Sequence, residues 1–119
     1  MKRAEIGQLG EKLARDFLKK RQYRILETNY RCRYGEIDIV ARRLDCLVFV
    51  EVRTRTDRVF GTPEESISQS KTRHMAQSAE YYVQEHRAEA LNWRIDVIAI
   101  ELEPDHRLWR IEQIENALA

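Results

Sequence analysis

The chain has 119 residues, long enough for one domain and too short for two, so residues 1–119 are expected to form a single domain. Its 21 basic and 20 acidic residues nearly cancel, so any argument for nucleic-acid binding must come from local clusters. No apolar run reaches membrane length and no secretory segment opens the chain, which predicts a cytoplasmic protein without membrane contact. Cys32 and Cys46 are then expected to be free thiols, and they give no zinc site.

The first predicted element is a helix over residues 4–21, because apolar residues recur there at helical spacing. Gly10 is small enough to let another element approach the helix closely. Glu11 lies at the edge of the apolar stripe, and this segment alone favours an exposed boundary residue. A strand is predicted from Tyr23 to Tyr30, and a basic, aromatic turn from Asn29 to Gly35.

The stretch from Tyr34 to Arg55 is predicted to be a β-hairpin, with Leu44 and Asp45 as a two-residue turn. This register places Arg43 opposite Cys46. Since side chains alternate along a strand, one face of the hairpin becomes wholly apolar. That face carries Ile37, Ile39, Ala41, Val48, Val50 and Val52.

The same register places charged residues on the other face of the hairpin. Asp38 falls opposite Glu51, and Glu36 falls opposite Arg53. Two opposed carboxylates repel each other, and a divalent cation between them would convert the repulsion into binding. A shift of the register by one residue would destroy this alignment.

The segment 56–66 has Gly, Pro and mixed charge without periodicity, so it is predicted to be a loop with a functional or mobile character. A long helix is predicted over residues 66–88, with Ser66 or Ser68 as its N-cap and Lys71 in its first turns. Its predicted buried side comprises Ile67, Met75, Ala79, Tyr82 and Val83.

Two further strands are predicted, a strong one over residues 92–102 and a shorter one over 107–111. The resulting order is helix, three strands, helix, two strands. This order predicts an α/β fold in which helices flank a mixed β-sheet. Asp96 lies in the stronger strand, where a structural role is favoured over a supporting role in a site.

The hairpin residues Asp38, Glu51 and Arg53 suit a metal-dependent phosphodiesterase. Carboxylates are the ligands of Mg²⁺ or Mn²⁺, which would polarise a phosphate oxygen and activate water. A cation two residues beyond the second carboxylate shares its face and can stabilise charge developing at phosphorus. The acid–x–base pattern alone is weak evidence, because it occurs by chance in many strands.

A wider set of residues carries a family resemblance. They are Gly7, Gly10 and Glu11, then Asn29–Arg33, Gly35–Asp38, Val48–Arg55, Phe60, Gly61, Pro63, Ser68, Lys71 and Arg94–Val97. On these residues the chain resembles the YraN-like family of uncharacterised bacterial proteins. The resemblance implies a restriction-endonuclease-like fold with a PD-(D/E)xK nuclease core, similar in layout to archaeal Holliday-junction resolvases.

By this resemblance Asp38 and Glu51 would be metal ligands, and Glu11 would approach the site from the first helix. Arg53 would occupy the position usually held by the catalytic lysine. This is a departure, because arginine stays protonated whereas a buried lysine can exchange a proton. Arg53 can serve if the role is electrostatic, and otherwise the protein would bind without cutting.

The expected partner is nucleic acid, with DNA favoured and branched or single-stranded substrates in view. Basic residues cluster around the hairpin, and we expect nucleic-acid contacts from Arg31, Arg33, Arg55 and Lys71. Resolvase-like enzymes usually cut two strands as dimers, so the resemblance also raises the expectation of a homodimer. The alternatives are a nucleic-acid-binding module without catalysis and a purely structural domain, in which neutralising either carboxylate would only raise stability.

Overall fold

The computed structural model describes residues 1–117. Within that range lie the helices α1 (Arg3–Lys20) and α2 (Gln69–Glu85), the strands β1 (Arg24–Cys32), β2 (Gly35–Arg43), β3 (Cys46–Arg55), β4 (Asn92–Leu102) and β5 (Leu108–Ile114), and a 3₁₀ turn at Glu64–Ser66. The predicted order of helices and strands is confirmed. No helix in this range is both long and apolar enough to cross a bilayer.

The five strands form one mixed sheet in the order of the sequence. β3 and β4 pair in parallel at its centre, and the other neighbours pair antiparallel. A parallel pair needs a long crossover, which the segment containing α2 supplies. β1 and β5 are the edges of the sheet. The predicted mixed sheet flanked by helices is therefore confirmed.

The two helices cover opposite faces of the sheet. The α1 cluster contains Ala14, Leu18, Ile39, Ala41, Val48, Val50, Ile98 and Ile100. The α2 cluster contains Ile37, Val40, Phe49, Met75, Ala79, Tyr82 and Ile95. Central strands are buried on both faces, which explains their nearly continuous apolar sequence.

The hairpin register agrees with the prediction from Arg43–Cys46 out to Ile39–Val50. Leu44 adopts a positive φ of 56° in the two-residue turn. Beyond Ile39 the regular pairing of β2 with β3 stops, and Ile37 packs on the α2 side. The prediction that Ile37 shares a face with Ile39 was therefore wrong, because β2 changes face at the residue between them.

Two other differences concern where elements begin and end. Most of the predicted turn over 29–35 belongs to β1, which continues to Cys32. Glu36 lies opposite Arg31 of β1, and the predicted pairing of Glu36 with Arg53 is wrong because the pairing of β2 with β3 ends at Ile39–Val50. Of the two N-cap candidates for α2, Ser68 takes the position, and its hydroxyl accepts the Lys71 N–H at 3.1 Å.

Asp96 has the structural role that was favoured. Its side chain is fully buried, and both oxygens accept hydrogen bonds within the sheet. Arg94 Nε donates at 2.9 Å, Gln113 Nε2 at 2.8 Å and the Asn116 N–H at 2.9 Å. These bonds fasten the segment after β5 to β4.

The thiol of Cys46 lies 3.8 Å from Arg94, and both cysteines are free.

α1 crosses β3 at Gly10, where a methyl group would overlap the Oγ1 of Thr54. The Gly10→Ala variant should therefore lose about 1–3 kcal/mol of unfolding free energy, because α1 must move away from the sheet. A methyl at Gly7 would meet nothing, so Gly7→Ala should gain about 1 kcal/mol from helix propensity alone. Urea unfolding of both variants measures the contrast, and equal effects would contradict the close crossing.

Candidate functional site

The site begins where β2 and β3 separate. The N–H of Val52 donates to Oδ2 of Asp38 at 2.8 Å, so a side chain takes the place of the next main-chain partner. This bond fixes the carboxylate of Asp38 at the mouth of the opening between the strands. The carboxylate of Asp38 also interacts with that of Glu51, although the regular register on which this pair was predicted ends one residue earlier, at Ile39–Val50.

Glu51 is only 5% exposed, which is unusual for a carboxylate. Lys71 Nζ lies 3.2 Å from Oε2, and Arg53 Nε lies 3.6 Å from Oε1. The lysine approaches outside hydrogen-bond geometry, so Oε2 has no hydrogen-bond donor. Burial and the neighbouring Asp38 carboxylate raise the pKa of Glu51 to about 7, although Lys71 and Arg53 act in the opposite direction.

A cavity of about 390 Å³ opens beside Asp38, and Glu51 lies outside its lining. Glu11 of α1 faces it, with Asp38 and Arg53 on the wall formed by the sheet. Burial, followed by the carboxylate of Asp38, raises the pKa of Glu11. Glu11 therefore approaches Asp38 from the first helix, and it is half-buried where the helix segment alone suggested exposure.

Lys71 is the least expected member of the site. The sequence assigned it to nucleic-acid binding, and the structure places its ammonium against Glu51 with one third of the side chain exposed. Ser68 starts α2 so that Lys71 falls in the first turn, from which its ammonium reaches Glu51 of β3. The contact spans the crossover between β3 and α2, and no local pattern in the sequence signals it.

The predicted nucleic-acid contacts do not all gather at the cavity. Arg55 lines it, as do Arg3 and Ser66, neither of which the sequence assigned to a site. Arg31 instead pairs with Glu36 at 3.4 Å. Arg33 lies over the ring of Tyr34 in a separate pocket beside α2. The basic cluster seen in the sequence is thus divided between two regions of the surface.

A buried ion-pair network supports the loop that follows β3. Glu101 is 2% exposed, and Arg58 donates to both of its oxygens at 2.7 and 2.8 Å. Arg110 reaches Glu101 at 3.0 Å and Glu64 at 2.7 Å. Hydrogen bonds from Arg110 lower the pKa of Glu64 to about 2. The network fastens both ends of the loop to β4 and β5.

The model of the uncharacterised protein family UPF0102 matches residues 10–100. The chain belongs to this family. UPF0102 proteins of Caldicellulosiruptor saccharolyticus, Dehalococcoides mccartyi and Moorella thermoacetica are 42%, 46% and 43% identical to it over 117 residues. The alignments cover 98% of this chain and 99%, 94% and 98% of the relatives. The resemblance to the YraN-like family is confirmed at the level of the family, which carries no assigned activity.

The donor set of this UPF0102 protein suits a hard divalent cation. Asp38 and Glu51 offer carboxylate oxygens, and Oε2 of Glu51 is buried without a hydrogen-bond donor. Within residues 1–117 no three His, Cys, Asp or Glu side chains converge as a metal cluster. Mg²⁺ is commonly held by one or two carboxylates and completes its shell with water and substrate phosphate, so two carboxylates suffice.

The raised pKa of Glu51 predicts a pH-dependent effect of Glu51→Gln on stability in EDTA. Because the pKa is about 7 in the folded state and about 4.5 in the unfolded chain, stability falls as pH rises between these values. The variant should be more stable than the wild type at pH 8, by up to about 3 kcal/mol, and the gain should shrink toward pH 5. Urea unfolding at both pH values measures this, with Glu36→Gln as control. A gain independent of pH would contradict it.

Proposed function

We propose that this UPF0102 protein is a metal-dependent nuclease that hydrolyses phosphodiester bonds in DNA. The observation that carries the proposal is the buried Glu51, with one oxygen lacking a donor and the Asp38 carboxylate beside it. A buried carboxylate pair is costly unless a cation binds it. Asp38 lies in the wall of a cavity that Glu11 and Arg53 also line, and Glu51 is the buried member of the pair.

Each side chain has a chemical task in this proposal. Asp38 and Glu51 would hold Mg²⁺ or Mn²⁺, which when bound supplies positive charge toward a phosphodiester oxygen. Glu11 presents a third carboxylate from the opposite wall of the cavity and helps to orient water there. The Val52 N–H keeps Asp38 in place through its hydrogen bond of 2.8 Å. Arg55 contributes a phosphate contact at the rim.

The family resemblance implies a lysine on the strand at position 53, where this chain has arginine. In this proposal Lys71 of α2 supplies the ammonium group instead. Its Nζ lies 3.2 Å from Glu51, nearer than the 3.6 Å of Arg53 Nε. Both groups are positioned to stabilise negative charge that develops on the phosphate in the transition state. The departure at Arg53 therefore does not deprive the site of a lysine, because α2 brings one from another part of the chain.

The arrangement of elements supports the same proposal. The family resemblance implies a restriction-endonuclease-like core, in which carboxylates on adjacent strands meet at the open end of a mixed sheet. In this chain Asp38 and Glu51 occupy β2 and β3, and the strands part at these residues. Architecture alone does not determine activity, so the charges at the site are the stronger argument.

The second candidate is a nucleic-acid-binding module that has kept this fold without catalysis. It is favoured by the contacts of Glu51, because Lys71 and Arg53 already place two positive charges beside one carboxylate. In that case the cations balance the buried charge and no metal is needed. Asp38→Asn should then leave DNA affinity unchanged or increase it, since repulsion of phosphate falls.

Metal binding can be tested without any activity. Mg²⁺ or Mn²⁺ should raise the melting temperature of the wild type, with a gain of about 2.7 kcal/mol at a metal concentration 100 times Kd. Asp38→Asn and Glu51→Gln should lose the response, because each removes a carboxylate ligand. Glu36→Gln is the matched control, since Glu36 is an acidic residue of β2 paired with Arg31. An equal response in all four proteins would refute a metal site at this position.

Activity is tested on labelled single-stranded, duplex, flap and four-way-junction DNAs in Mg²⁺, Mn²⁺ or EDTA. The wild type should cleave at least one of them with metal, and Glu51→Gln should not. Lys71→Met should lower the rate by about 10²–10³, the usual effect of removing one group that stabilises the transition state. Lys12→Met, at an exposed lysine of α1, should cleave normally. Folded wild-type protein that binds DNA and cleaves none of the panel would favour the binding module.

A further inference from the structure

The loop after β3 exposes two apolar residues at its tip. The N–H of Gly61 donates to the carbonyl oxygen of Arg58 at 3.0 Å, so Val59 and Phe60 are the central residues of a tight turn. They are 75% and 83% exposed. Such turn positions usually carry Gly, Pro, Asn or Asp, and neither residue gains stability from burial here. Burial in the folded chain therefore does not explain why a phenylalanine occupies this exposed position.

The tip is held in place from both sides. Arg58, directly before it, is bonded to the buried Glu101 through two hydrogen bonds. Gly61, directly after it, has a φ of +92°, a conformation that other residues rarely adopt. Glu64 is tied to Arg110 at 2.7 Å a few residues later. The backbone that carries Phe60 is thus anchored on both sides of the turn.

Phe60 forms one side of a groove of about 370 Å³ that continues from the cavity of the proposed active site. The two spaces share Arg3, Ile6, Thr54 and Arg55 in their walls. The arginines give the groove positive charge. The groove also includes Asp57, but its carboxylate accepts the N–H of Val59 at 3.0 Å and is engaged by the turn itself.

We propose that this groove binds an unpaired segment of DNA, with a base stacked on Phe60 and the backbone phosphates beside Arg3 and Arg55. An exposed aromatic ring next to cationic side chains is the combination that binds single strands without sequence preference. Within a duplex the base faces are covered by their neighbours, so a stacking ring selects unpaired nucleotides. The inference rests on the proposed nuclease function, and it names the substrate as DNA with a single-stranded region next to the scissile bond.

The test measures binding in EDTA, where no cleavage is expected. Fluorescence anisotropy with a labelled single strand and a labelled duplex of equal length gives both affinities, and a 2-aminopurine base in the single strand reports stacking. Phe60→Ala should weaken single-strand binding by about 5- to 150-fold, corresponding to the loss of one stacked base, and leave duplex binding unchanged. Phe60→Trp should retain the affinity and the quenching of 2-aminopurine, and Phe60→Leu should not.

Leu44→Ala is the matched control, because Leu44 is 84% exposed at the turn between β2 and β3. Its affinities should equal those of the wild type. Loss of duplex and single-strand binding by the same factor in Phe60→Ala, or no loss, would overturn the inference. A change of sedimentation coefficient in Phe60→Ala with unchanged DNA binding would also overturn it and identify the tip as a contact between copies of the chain.

The outcome is separable from that of the nuclease proposal. If wild-type protein cuts DNA and Phe60→Ala binds single strands normally, the groove assignment fails alone. If the wild type cuts nothing and single-strand binding still depends on the Phe60 ring, the nuclease proposal fails and the groove belongs to a binding module.

Discussion

The hydrogen bond from Val52 to the carboxylate of Asp38 is the constraint on which the candidate site depends. A regular β2–β3 pair would place main-chain partners at this position and close the sheet. The carboxylate of Asp38 accepts the N–H of Val52 instead. β2 then changes face, and Ile37 packs on the α2 side of the sheet. The opening that results lies between the layers covered by the two helices. Asp38 therefore interacts with Glu11 of α1 and with Glu51 of β3, which Lys71 of α2 contacts in turn.

The charge of Glu51 is only partly compensated by its neighbours. Glu51 is buried beside another carboxylate, while the positive groups of Lys71 and Arg53 approach it without ideal hydrogen bonds. Such an arrangement stabilises the fold less than an apolar cluster of equal volume would. Elsewhere in the protein buried charges are fully bonded, as Asp96 and Glu101 illustrate. Glu51 differs from these structural carboxylates because one of its oxygens lacks a hydrogen-bond donor, and this difference makes it a candidate site residue.

Local rules in the sequence predicted much of this arrangement. The two-residue turn and the alternation of side chains predicted the hairpin register out to Ile39–Val50, and Ser68 was one of two candidates for the start of α2. The change of face at Ile37 was missed, because it depends on a side chain displacing a main-chain partner. Lys71 was assigned to a different role, since its contact with Glu51 joins elements separated by a crossover. Position 11 could not be placed from its helix alone, because the helix stripe does not reveal which part of the sheet lies beneath it.

The network around Glu101 has a consequence for the order in which parts of the chain can fold. Arg110 lies on β5, the last strand, and it is the residue that ties Glu64 to the buried Glu101. Until that strand has left the ribosome and paired with β4, Glu101 has one of its two arginines and the loop has one of its two anchors. The loop beside the cavity is thus fully fastened only when β5 is in place. A chain in which β5 has not yet paired with β4 therefore keeps only the part of this network that Arg58 supplies.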